Sequence, residues 1–468
     1  MLFNSFDFIF LFFPLVLCAY FLLKSKSSIL SWLTLAGYVF YTLIDIHYVF
    51  LLAFITLFNF WAGNYIASRP EGKEGERKLG LGLSVLVNIG ILAVFKYLLP
   101  FLGASNTNPV LHLFGLTLNL PFLNILLPVG ISVYTFQALS YVIDVYRKTI
   151  PPSKSWLVFA AYLSFFPTLT SGPIVRFSEI SNDLENIANL DRKKLFHKGL
   201  CLFVIGLASK VILADTLALY VNPLWGGYSN LDILSAWLSV LGYTFQLYFD
   251  FSGYSDMAIG LGFMLGFTLP KNFNSPLKSL NISDFWRRWH MSLTRWVNDY
   301  VFLSLYRPKI SRYHLYLNTV ITMVILGIWH GPGVNFLLFG LYHGLMIVLY
   351  QSQKERYDKL PALLRRLITF LVVAYGFLIF RSDSLNSLLA MQAKLVDFSS
   401  LSAIRLSQDV LILSALITLS VFITQRLKNS NEVEFGKSKA WAVALGVLLI
   451  ICLLLIGNGV VQFIYYKF

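Results

Sequence analysis

LYLNTVITMVILGIWHGPGVNFLLFGLYHGLMIVLY, residues 315–350, carries the decisive pattern of this chain. Two apolar runs, 315–331 and 334–350, flank the triplet Gly331-Pro332-Gly333. Proline lacks a backbone donor and clashes with the preceding turn, so the first helix must stop there and a second begin at once. Each run approaches the roughly 20 residues that cross a hydrocarbon core about 30 Å thick. The segment therefore predicts a tight helical hairpin at membrane depth, with His330 at its apex. An ionisable side chain in that position marks a functional site by default; the competing reading is hydrogen bonding to a broken backbone. His343 lies in the returning helix, where packing is its expected task.

The same apolar texture runs through all 468 residues, of which 57% are hydrophobic and only 13% charged. A soluble domain carries about twice that charge density to face water. The apolar residues come in long blocks, not alternating runs, which excludes a porin-like barrel. Spans are expected near 6–23, 29–45, 48–66, 79–99, 122–146, 199–219, 233–250, 253–268, 315–331, 334–350, 362–380, 408–425 and 440–460. The fold class is thus an all-α polytopic membrane protein with about 11–13 spans plus re-entrant or interfacial helices. No repeat or soluble domain interrupts it, so a single membrane domain is expected over 1–468. The N-terminus lacks a basic n-region and a small-residue cleavage site and reads as an uncleaved first span.

The net charge of +14 has a bland origin. Lys24 and Lys26, then Arg69, Lys73, Arg77 and Lys78, then Arg147, Lys148 and Lys154 follow alternate spans, whereas loops 100–121 and 220–232 carry no Lys or Arg. That alternation puts the basic loops in the cytoplasm against anionic lipid and the N-terminus outside, and nucleic acid is not an expected partner. Residues 156–176, broken by Pro167, Gly172 and Pro173, have cytoplasmic basic residues on both sides and predict a re-entrant or broken helix. Cys18, Cys201 and Cys452 sit in apolar runs without ligand spacing, so no metal is expected.

Residues 270–313 form a basic cytoplasmic layer. Within it Asn281, followed by Asp284, signals a helix start at 282. On a continuous helix Phe285, Trp286, Trp289, Leu293, Trp296, Val297 and Tyr300 share one arc, opposite Arg287, Arg288, Thr294, Arg295, Asn298 and Asp299. Two compatible readings follow. The helix lies at the interface with its tryptophans at headgroup depth, or it roofs a funnel and offers Arg and His290 to an anionic donor. Asp250 and Asp256 lie between apolar blocks; a structural role is favoured over proton relay. His47, His112, His197 and His314 fall in loops or at span ends, where no special role is expected.

The segments LLPVGISVYTFQALSYVIDVYR (126–147), YLSFFPTLTSGPIVR (162–176), YTFQLYFDFSGYSDMAIGLGFMLGF (243–267), NFNSPL (272–277), DFWRRWHMSLTRWVNDYVF (284–302), IWHGPGVNFLLFGLYHG (328–344) and FIYYKF (463–468) together resemble the membrane-bound O-acyltransferase family, in its bacterial alginate O-acetyltransferase-like branch. The resemblance implies helices around a thin centre, with a cytoplasmic funnel for an acyl donor and an outer opening for an acceptor. It implies that His330 is the family's near-invariant histidine and His290 its second one. Two departures stand out: VFLSLYRPKISRYH replaces a Gly-Gly-Asn-Arg-like segment, and Pro332 replaces a small residue.

The chemistry so implied is acyl transfer from acetyl-CoA, a co-substrate rather than a bound cofactor, to a hydroxyl of an exported polysaccharide at the bacterial inner membrane. His330 would act as base and His290, on the cytoplasmic side, would orient or polarise the thioester carbonyl. Arg287, Arg288, Arg295, Trp286, Trp289, Asp299 and Asn335 are the candidate donor- and substrate-binding residues. A separate extracytoplasmic acetyltransferase is the implied partner. Peptidoglycan O-acetylation and D-alanyl transfer from a carrier protein to teichoic acid are alternatives within the class. A proton-coupled exporter using Asp250, Asp256 and the histidines is the alternative outside it, but it calls for inverted repeats and Gly/Pro-broken helices in matching halves, which are not found.

Overall fold

A computed structural model describes residues 1–100, 127–306, 311–436, 438–456 and 464. The loop at 101–121, His112, the first residues of the 122–146 span, Arg307 and Lys309, and the C-terminal motif apart from Ile464 lie outside them. The described chain is helical throughout, without a strand. Among the described residues, seven helices are long and apolar enough to cross a membrane: Ile46–Ser68, Glu74–Leu98, Phe196–Gly226, Val334–Ser352, Ala362–Arg381, Gln408–Glu432 and Lys439–Ile456.

The helix from Glu74 to Ala93 makes the solvent argument concrete. Leu79, Leu83 and Leu86 face outward, while Arg77, Gly80, Ser84 and Asn88 are buried. Apolar out and polar in is the pattern expected when lipid is the solvent. Asn88 exchanges two amide hydrogen bonds, 2.8 and 3.1 Å, with Asn59 of the Val49–Ser68 helix. Each buried amide thereby satisfies the other.

Two expectations need correction. The runs 233–250 and 253–268 are one continuous helix, Ile233–Met264, of 32 residues. Asp250 and Asp256 do not break it because both are engaged. Asp250 pairs with Lys210 at 2.7 Å and accepts the Ile464 N–H at 2.8 Å, and Asp256 accepts a hydrogen bond from Ser430. Second, the helix at 282–300 is not continuous. Ile282–Arg288 ends at an extended Trp289, His290 adopts φ 43 and ψ 54, and a new helix runs Met291–Val297. A left-handed non-glycine residue re-aims the chain, so the shared arc does not carry across the break. The aromatic residues on either side are still buried, but inside the protein: Phe285, Trp286, Trp289 and Trp296 are all less than a tenth exposed. These Trp residues therefore pack against protein rather than presenting their rings to lipid headgroups.

The stretch 156–176 is a broken helix, as expected. Trp156–Leu163 stops, Phe166–Leu169 restarts with Pro167 in its first turn, and 170–176 is irregular up to the helix Phe177–Glu185. Nearly every residue is buried, and the Ser164 carbonyl at the break sits where a Cβ on Gly37 would be.

Two compact units are distinguishable by their internal packing. The first comprises Met1–Leu2, Asp7–Phe196 and Gly262–Pro270, with an aromatic cluster of Phe8, Phe12, Phe13, Phe40 and Phe166. The second comprises Phe3–Phe6, His197–Leu261 and Lys271–Phe468 and contains both candidate histidines.

Candidate active site

The hairpin forms as its sequence demands. Helix Arg312–His330 begins at Ser311, whose hydroxyl accepts the His314 N–H, and ends at Gly331; helix Val334–Ser352 follows. The two helices approach backbone to backbone where Gly340 meets Met323 and Val324, and a side chain at Gly340 would collide with the partner helix. This small-residue contact is how helices associate in lipid.

His330 is buried within a collar of rings. Its ring centroid lies 4.7 Å from Trp329, 5.1 Å from Phe380, 5.8 Å from Phe339 and 6.2 Å from Phe336. Phe380 is contributed by the Ala362–Arg381 helix, and Asn335 fixes it by donating to the Phe380 carbonyl at 3.0 Å. Asn335 thus holds the collar closed from the neighbouring turn.

His290 is held differently. Its Nδ1 meets Asn272 Oδ1 at 3.0 Å, and the same oxygen accepts the Ser292 N–H at 3.3 Å and the Ser292 hydroxyl at 2.9 Å. A backbone N–H is only a donor, which identifies the Asn272 atom as oxygen. Asn272 Nδ2 in turn donates to Ser255 at 3.1 Å. His290 Nδ1 must then carry the proton, leaving the Nε2 lone pair as the acceptor. Burial pushes the His290 imidazole well below its ordinary range, to about 3. It is neutral at pH 7.

A run of rings joins the two histidines. Phe339 contacts Trp286 at 6.2 Å, Trp286 contacts Phe285 at 5.7 Å, Phe285 stacks on Trp289 at 5.5 Å, and Phe251 bridges Trp289 to His290 at 6.4 and 4.7 Å. Trp286 and Trp289 are therefore walls of the core between the sites. His343, expected only to pack, belongs to the same core, 4.6 Å from Phe339 and 5.1 Å from Trp286.

The basic candidates separate. Arg288 is committed to Asp284 through Nε, at 3.0 and 3.1 Å, and to the Asn274 carbonyl at 3.3 Å. Those bonds tie the helix to the NFNSPL segment. Arg287 is exposed, with only a long 3.5 Å approach to Asp284, whereas Arg295, though exposed, is engaged by other groups of the protein. Asp299 is half-buried.

Sequence reasoning missed three features. Asn272 sat in a quoted motif without a role. Phe339 and Phe380 were invisible among 41 phenylalanines. Lys210 lies inside an apolar run and pairs with Asp215 at 2.6 Å as well as with Asp250; a lysine followed five residues later by an aspartate within a span was the available signal.

An ionisable residue enclosed at the apex of a helical hairpin, in a chain with several helices apolar enough to cross a membrane, marks a candidate functional site of an integral membrane protein. The sequence profile of the membrane-bound O-acyltransferase (MBOAT) family matches residues 33–392, and the chain belongs to that family; it is an O-acyltransferase. It is 39% identical over 405 residues to a probable alginate O-acetylase AlgI from Azotobacter vinelandii, covering 85% of this chain and 78% of the relative. It is 31% identical to a peptidoglycan O-acetyltransferase from Helicobacter pylori, covering 100% and 98%. A teichoic acid D-alanyltransferase from Bacillus subtilis matches at 27% identity, covering 72% and 86%.

Proposed function

We propose that this chain takes an acetyl group from acetyl-CoA on the cytoplasmic side and passes it across the membrane for O-acetylation of an extracytoplasmic polysaccharide, with a separate acetyltransferase as partner. The observation that carries this reading is His330, enclosed by aromatic rings at the hairpin apex of an O-acyltransferase. A hydroxyl is a weak nucleophile, and a histidine within reach of its proton is the base that neutral pH favours. In the step proposed, the hydroxyl oxygen attacks the thioester carbonyl carbon and gives its proton to a His330 ring nitrogen. The C–S bond then breaks, and the thiolate leaves with that proton. The collar excludes water, which would otherwise hydrolyse the thioester.

His290, neutral and with Nε2 free to accept, suits a group that orients the donor rather than a cation that binds its phosphates. The exposed Arg287 and Arg295 suit the phosphates, and Arg288 supports the fold beneath them. The relatives' names support acetyl transfer to a glycan, and their variety leaves the acceptor to experiment.

The test is turnover of radiolabelled acetyl-CoA by purified protein in nanodiscs, for wild type and His330→Ala, with and without a glycan acceptor and partner acetyltransferase. The reading expects CoA release and label transfer by wild type alone. Turnover only with an acylated carrier protein would move the donor assignment to carrier-bound thioesters. Equal turnover by both proteins would remove His330 from the chemistry.

A further inference from the structure

We propose that an apolar cavity of about 120 Å³ in the second unit seats an acyl chain of an anionic phospholipid, whose phosphate is held by the basic segment 354–366. The inference is independent of the donor and acceptor readings. It rests on the orientation in which residues 353–361 are cytoplasmic.

The cavity lies where three elements meet. Ile282 opens the helix Ile282–Arg288, Met346 and Leu349 belong to the last turns of Val334–Ser352, and Ile368 and Val372 come from Ala362–Arg381. Leu349 is exposed and Tyr350 and Val372 are half-buried, so the cavity opens on the protein surface. Its hydroxyls are already engaged. Tyr357 and Thr369 both donate to the Arg365 carbonyl, at 3.0 and 2.7 Å, and Tyr350 approaches Asp358 at 3.5 Å. What remains is a hydrocarbon wall, which favours an apolar occupant.

The lip is of the opposite character. Segment 354–366 carries Lys354, Arg356, Lys359, Arg365 and Arg366 against Glu355 and Asp358. Asp358 is taken by Lys354 at 2.6 Å and by Arg365 at 3.2 Å, and Glu355 is exposed. Arg356 approaches Oε1 of Gln353, an amide of the cavity wall, at 3.5 Å. Among the described residues neither Arg356 nor Lys359 has a carboxylate at ion-pair distance. Basic loops attract anionic lipid in general. Here the uncancelled charge stands one side chain away from an apolar cavity, at the ends of two helices apolar enough to cross a membrane. That arrangement matches both halves of a phospholipid. The cavity is too small for a helix, which is about 10 Å across, so neither a partner's helix nor a second copy of the chain fits it. The same three elements carry Trp286, Phe339 and Phe380, so a lipid seated here braces the aromatic core from its cytoplasmic end.

The test adds phosphatidylglycerol or phosphatidylcholine to delipidated full-length protein in detergent and counts bound lipid by native mass spectrometry. Wild type should hold one phosphatidylglycerol about tenfold or more tightly than phosphatidylcholine. Arg356→Gln combined with Lys359→Gln should bring that ratio toward unity with phosphatidylcholine binding unchanged. Val372→Phe, which fills the cavity, should weaken phosphatidylglycerol about tenfold while the lipid-free protein unfolds at the wild-type temperature. Glycerol 3-phosphate, a headgroup without chains, should not compete; if it does, the site takes free phosphate and the proposal fails. Equal binding of the two lipids by wild type also overturns it, as does unaltered phosphatidylglycerol binding in Val372→Phe. Should Val372→Phe not fold, photolabelling of wild type with a diazirine-bearing phosphatidylglycerol decides. Label within 346–353 or 368–372 is expected, and label confined to other segments overturns the proposal.

Discussion

His330 and Lys210 are both ionisable side chains buried in apolar helical segments, yet their surroundings differ in kind. Lys210 meets two carboxylates, Asp215 and Asp250, at 2.6 and 2.7 Å, and the second of these also takes the Ile464 N–H. Its charge is answered within the protein. His330 is collared by the rings of Trp329, Phe336, Phe339 and Phe380, which shape a space around it. Burial alone therefore does not distinguish a functional group from a structural one. The chemistry of the neighbours does.

The comparison breaks first at His330. His330→Ala should lower kcat by about 100- to 10,000-fold, the range of a lost general base, while thermal unfolding in detergent stays near wild type. A comparable loss of stability would put His330 in the same class as Lys210.

The converse change is Lys210→Met, which leaves Asp250 buried without its cation. A cost of about 3–5 kcal/mol is expected, read as lower yield and earlier thermal unfolding. Activity per folded molecule should persist, and Lys210→Met combined with Asp250→Asn should recover part of the stability. A mutant that folds normally but has lost turnover would place this cluster in the reaction.

A smaller effect tests the packing behind the collar. A Cβ on Gly376 would land on the His343 imidazole. Gly376→Ala should destabilise by about 1–3 kcal/mol through overpacking, and His343→Ala should relieve it in the double variant. Additive losses would mean that the two sites do not share this contact.

The smallest effect belongs to His290. Burial lowers its pKa in the folded state, so between about 3 and the unfolded value near 6.5 the unfolded chain binds more protons. Stability from this group is complete above about 6.5 and falls with decreasing pH, by at most about 1.4 kcal/mol per pH unit. Melting temperatures from pH 7 to 5 should fall more steeply for wild type than for His290→Asn. Parallel slopes would show that His290 takes its proton without cost.

Much of this architecture was legible in the chain because the membrane imposes one-dimensional rules. Apolar length specified helices such as Glu74–Leu98 and Val334–Ser352. Gly331-Pro332-Gly333 specified a hairpin with His330 at its apex, and Asn281 marked the start of the helix at 282. Those signals act between residues close in sequence, through backbone geometry and the expense of exposing polar groups to lipid.

Other properties are not carried by local sequence. Ile233–Met264 continues through Asp250 only because Lys210 and Ile464 reach it from distant positions. His290 adopts its left-handed backbone and single tautomer because Asn272 approaches from a separate segment. Phe380 closes the collar from another helix. Which residues meet, and therefore which charges are silenced and which rings enclose His330, is a matter of three-dimensional contact, because a buried group's energy depends on the atoms beside it and not on its neighbours in the chain.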